Sequence, residues 1–146
     1  MKYKTINFIL VAILLVSVFV VPASAKTQSK TQALTYTYYD SLITSIKIGR
    51  IKSTYVYSYD TATNKLVNEK SISHATSNVK IGCKFKDINK YWSWYNTSSK
   101  NGTGRGITEW SFGIGITTQW ITLGSFQDDW MALTPKGNGS WSSSFS

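Results

Sequence analysis

The residues able to do chemistry are few and far apart. His74 is the only histidine of the 146-residue chain and Cys83 the only cysteine. Zinc takes three or four such ligands, so no metal site is predicted and no cofactor is called for. A Cys83–His74 nucleophile pair needs an accessible thiol, and the alternation around Cys83 points it inward. Serines are abundant, but none carries the glycine pattern of a nucleophile elbow. Glycoside hydrolysis requires two carboxylates set across a cleft. Asp40, Asp60, Glu69, Asp87 and Glu109 lie at expected turns or beside lysines and read as solvated charges. Asp128 and Asp129 are adjacent and read as a turn before Trp130, and neighbouring strand residues would point to opposite faces. The chain is therefore not read as an enzyme. An enzyme of unfamiliar type would need a cleft that gathers His74 with an acid.

Binding chemistry is better represented. Tyr91, Trp92, Trp94 and Tyr95 stand beside a Ser/Gly-rich loop at 98–106, and exposed rings of this kind stack on sugar faces or sit at membrane interfaces. The segment is expected to place Trp92 and Trp94 on one face and Tyr91, Ser93 and Tyr95 on the other. The loop's glycines match neither a P-loop nor a dinucleotide fingerprint, and no helix follows them. Lys80, Lys84 and Lys86 alternate with Val79, Ile81, Cys83 and Phe85, which predicts a strand with an apolar face and a lysine ladder. The ladder reads first as a guard against edge pairing and second as an anion site. Trp110, Trp120, Trp130 and Trp141 recur at steps of ten or eleven, as in a meander with one tryptophan per strand. Trp110, Phe112, Trp120 and Trp130 are expected in the core. Three Asn-x-Ser/Thr sequons, at Asn96, Asn101 and Asn138, are incidental in a chain so rich in these residues.

Charge narrows the partners. Sixteen Lys and Arg against seven Asp and Glu give a formal net charge of +9, which attracts anionic polymers, lipids or glycans. Only Arg50 and Arg105 are arginines, and they form no cluster, which argues against nucleic acid, where bidentate Arg dominates. The first 25 residues have the composition of a cleavable secretory signal helix. Lys2 and Lys4 lead an apolar run that closes on Ala23-Ser24-Ala25. A retained anchor is the alternative reading of that run. Cleavage after Ala25 would make the protein extracellular, and a secreted monomer with one cysteine must hold itself together by packing alone.

The elements that carry these residues follow period two rather than 3.6. β-Branched and aromatic residues alternate with Ser, Thr and Lys, predicting an all-β antiparallel sandwich or partly closed barrel of about seven to nine short strands. Residues 26–33 are expected to be a flexible lead and 34–146 a single domain. β-Prone segments run over 34–39, 42–48, 51–59, 66–74, 78–86, 91–97, 107–117, 120–126, 130–133 and 141–145. The pair 51–59 and 66–74 is a hairpin across a polar turn, and 87–90 is a turn or a single helical turn. Three functions compete. The first is a basic secreted protein acting at a cell envelope or anionic surface, antibacterial or membrane-active, that engages the interface with segments such as 110–116. The second is a glycan-binding module using Tyr91, Trp92, Trp94 and Tyr95. The third is the unfamiliar enzyme.

Overall fold

A computed structural model describes residues 26–39, 45–117 and 122–146, apart from the side chains of 114–117 and 122–125. The leader, Asp40 and Trp120 lie outside that range. Among the described residues, seven strands form two antiparallel sheets. In the first, β1 (Thr27–Tyr39), β2 (Lys47–Asp60) and β3 (Lys65–Ser77) follow one another in order. In the second, β4 (Cys83–Tyr95), β5 (Gly104–Thr117), β6 (Thr122–Pro135) and β7 (Trp141–Phe145) do the same.

One core lies between the inner faces. The first sheet contributes Leu34, Ile51, Tyr55, Tyr57 and Leu66, and the second Trp110, Phe112, Met131 and Leu133. Tyrosines cross this core with their hydroxyls satisfied on the opposite sheet, as buried polar groups must be. The Tyr55 hydroxyl lies 3.0 Å from Thr108 Oγ1 and donates to the Met131 carbonyl at 3.1 Å. The Tyr57 hydroxyl donates to the Gly139 carbonyl at 2.8 Å. Burial pushes the Tyr57 and Tyr95 phenols up to about 12. Gly49 and Gly106 permit the close approach of the layers. A Cβ on Gly49 would stand 2.4 Å from the Phe112 ring, and one on Gly106 would stand 2.9 Å from the Tyr55 ring.

The hairpin of β2 and β3 forms as its alternation predicts, with Tyr55 and Tyr57 inward. Its turn is an Asx arrangement in which Asp60 Oδ1 accepts from the amides of Ala62 and Thr63. Three loops meet at this end of the molecule. The Asn101 amide donates to the Asn64 carbonyl, and the Gly137 amide donates to the Gly102 carbonyl.

Several expectations are corrected. Residues 27–33 are not a loose lead but the first half of β1, paired residue for residue with β2 from Thr27↔Asp60 to Ala33↔Thr54. The strand expected at 78–86 starts only at Cys83. Asn78 and Gly82 take positive φ, and 78–82 runs as a turn closed by the Cys83 amide on the Lys80 carbonyl. Ile81 is consequently fully exposed and Val79 42% exposed, although Cys83 and Phe85 do pack against the core. The turn expected at 87–90 is a bulge inside β4, with Asp87 at φ 54 and the register shifting between Lys86 and Asn89. Asp128–Asp129 is no turn either. Both residues sit in the middle of one long β6 that replaces the two short strands expected there.

Candidate ligand-binding face

The outer face of the four-stranded sheet gathers the unusual side chains. Along β5 the even-numbered residues from Gly104 to Phe112 turn inward, leaving Arg105, Ile107, Glu109 and Ser111 outward. The register sets Ile107 beside Tyr91 and Ala132, Glu109 beside Asn89 and Trp130, and Ser111 beside Lys86 and Asp128. Arg105 pairs with Trp94.

A second bulge in β4 decides which aromatics reach this face. The register shifts between Trp92 and Trp94, so Ser93 is an extra residue that inverts the alternation beyond it. Trp92 and Tyr95 therefore both pack against the core, ring centroids 5.0 Å apart and edge to face. Tyr91 and Trp94 point outward, 37% and 46% exposed. The expected grouping of Trp92 with Trp94 is corrected, and the four-residue platform reduces to Tyr91 and Trp94. Trp130, expected in the core, joins them as a half-buried ring on the outer face. Trp110 and Phe112 are core residues as expected, only 2% and 4% exposed.

Arg105 organises the platform. Its guanidinium carbon lies 5.9 Å from the Trp94 ring centroid and 5.3 Å from that of Trp130, a cation–π arrangement on both indoles. Its Nε is buried and has no hydrogen-bond partner. Nearby, the Tyr91 hydroxyl donates to Glu109 Oε1 at 2.7 Å, and that bond raises the Tyr91 phenol above its ordinary value.

Beyond Glu109 the face dips into a hollow of about 320 Å³ edged by Asp87, Glu109, Ser111, Asp128 and Trp130. Ser111 Oγ donates to Asp128 Oδ1 at 2.5 Å. Asp129, one residue on, has the opposite fate. It is buried and accepts hydrogen bonds from the Tyr38 hydroxyl, Gln127 Nε2 and Ser146 Oγ. Trp110 Nε1 donates to the same Tyr38 oxygen at 2.8 Å. Burial first, and the bond to Asp129 second, push the Tyr38 phenol far up. This network fastens β1 to β5 and β6.

The lysines divide as well. Lys84 and Lys86 project from β4 on the same outer face, and Lys86 Nζ stands 3.8 Å from the Phe126 ring centroid. Lys80 lies in the turn before β4 and belongs to no ladder. His74 Nδ1 lies 3.5 Å from Lys90 Nζ, and burial followed by the Lys90 charge lowers its pKa. Among the described residues, no three His, Cys, Asp or Glu side chains gather to hold a metal ion. No protein-family model, curated protein or solved structure matches the chain.

The arginine between two indoles and the bulge that turns Tyr91 and Trp94 outward were not legible in the sequence. Alternation along β5 does place Arg105 and Glu109 on one face. That β6 adds Trp130 to the same face depends on the β5–β6 register.

Proposed function

We propose that this is an exported protein that binds an anionic glycan of a cell envelope through the outer face of its four-stranded sheet. The observation that carries the reading is the seating of Arg105 between Trp94 and Trp130 on an exposed sheet face, beside Tyr91 and Glu109. Rings on a flat sheet offer stacking surfaces for the apolar faces of sugars. A guanidinium on an exposed sheet face offers two-pronged hydrogen bonding to a phosphate or carboxylate on the polymer. Glu109, Asn89 and Asp128 add acceptors and donors for sugar hydroxyls. The net charge, +9 for the full chain and +7 once Lys2 and Lys4 leave with the leader, raises the local concentration of such a polymer and makes capture depend on salt.

This reading joins the envelope expectation to the glycan expectation and sets membrane insertion behind both. The segment beginning at Trp110 that was expected to engage lipid has its first two rings in the core. The test is co-sedimentation with insoluble wall preparations, with and without their anionic polymers, across a salt series. Retention that falls on stripping the anionic polymer, and falls again in Arg105→Ala and Trp94→Ala, supports the reading. Equal retention of the wild type and both variants ends it.

A further inference from the structure

The two sheets expose four edge strands, and three are defended against pairing with another chain. β7 has only five residues. β4 carries Lys84, Lys86 and Lys90 and is broken by two bulges. β3 carries Lys65, Glu69 and Lys70, and slips in register across Asn68 and Glu69. Short strands, lysines and bulges are the devices that keep sheet edges apart.

β1 is the least defended of the four. It runs thirteen residues, about 40 Å of extended chain, and its register with β2 is unbroken until the last step at Tyr38/Tyr39. It contains no proline and no acid. Its single cation, Lys30, is turned inward, where Nζ donates to the Gly139 carbonyl at 3.0 Å. Among the described residues only β2 pairs with it.

We infer that β1 is a self-association edge, on which a second copy of this chain adds antiparallel to form a continuous six-stranded sheet about a two-fold axis at Ala33. The strand's own sequence selects this arrangement. Ala33 is the midpoint of β1, so a dyad there pairs all thirteen residues of each copy. Antiparallel pairing about that point preserves parity, so outward residues meet outward residues, Thr31 opposite the second copy's Thr35, and the core-facing set stays on one side. It sets Lys30 across from Tyr36, whereas parallel pairing in register would set the two copies' Lys30 residues side by side. The union also doubles a polar outer face on which Thr31, Ala33 and Thr35 lie beside Val56, Thr54 and Lys52 of β2.

Sedimentation velocity on protein recovered from the medium of an exporting host gives the test. The wild type is expected to show a concentration-dependent dimer. Ala33 is exposed, so Ala33→Lys and Ala33→Glu should retain the wild-type circular dichroism. Each sets like charges face to face at the dyad and should raise the dissociation constant roughly fivefold. An equimolar mixture of the two variants should recover the dimer, because each then meets an opposite charge. Ser73→Lys, an exposed change on the β3 edge, should leave the dimer unchanged. A wild type that stays monomeric at every soluble concentration overturns the inference. So does a dimer that Ala33→Lys leaves intact, or a mixture no better associated than its components.

Discussion

The outer faces of the two sheets are built by the same alternation and carry opposite contents. On the three-stranded sheet the outward residues include small and hydroxylic ones such as Thr31, Thr35, Thr54, Ser71 and Ser73, and its middle strand carries the cations Lys47, Arg50 and Lys52. On the four-stranded sheet they are Tyr91, Trp94, Arg105, Glu109, Asp128 and Trp130. Packing dictates neither set, because both lie outside the core. A Ser/Thr face satisfies a solvated sheet at little cost. Large rings and mixed charges on a solvated sheet contribute little to folding, and their concentration on one face is the ground of the proposed ligand reading.

That contrast can be broken most sharply by comparing tryptophans. Trp110→Ala empties a fully packed site and is expected to cost about 3–5 kcal/mol in urea unfolding. Trp130→Ala on the outer face should cost less than about 1 kcal/mol by the same measurement. Comparable losses would mean that the outer rings are structural. The adjacent aspartates make the next largest difference. Asp129→Ala strands three hydrogen-bond donors around a buried position and should cost about 2–3 kcal/mol. Asp128→Ala should stay within about 0.5 kcal/mol.

Binding sharpens the comparison of the two faces. Trp94→Ala combined with Trp130→Ala is expected to weaken retention on wall glycan about tenfold, close to 1.4 kcal/mol. Thr54→Ala combined with Ser73→Ala on the other sheet should leave it unchanged. The smallest effect is in pH. Tyr57 and Tyr95 are raised from 10.0 to about 12 by burial. Below pH 10 both states keep these protons and the phenols contribute no slope. As pH climbs from 10 toward 12 the unfolded chain releases them first, so stability falls across that window. Urea midpoints at closely spaced alkaline pH values should show the decline, and Tyr57→Phe should flatten it.

The sequence was informative where structure is local and regular. The tyrosine alternation of 51–59, its return at 66–74 and the polar turn between them all appear as β2 and β3. The extended loop ahead of Ile107 is likewise a hairpin loop, held by Asn96 Oδ1 accepting the amides of Ser98 and Ser99. It misled where one residue breaks the period. The bulge at Ser93 exchanges the roles of Trp94 and Tyr95, and positive φ at Asn78 and Gly82 takes Val79 and Ile81 off the ladder. Asp129 was hidden for another reason. A carboxylate in mid-strand looks unacceptable until Tyr38 reaches it from ninety-one residues away. No periodicity within β6 announces that partner.

The clasp of three loops at one end has a mechanical corollary. Among the described residues no strand ladder joins the two layers, and the Asn101 amide on the Asn64 carbonyl is a backbone stitch between them at one rim. Deuterium uptake at the Asn101 amide would register the layers parting while the ladders inside each sheet still hold. The molecule would loosen in the manner of a book opened from its fore-edge.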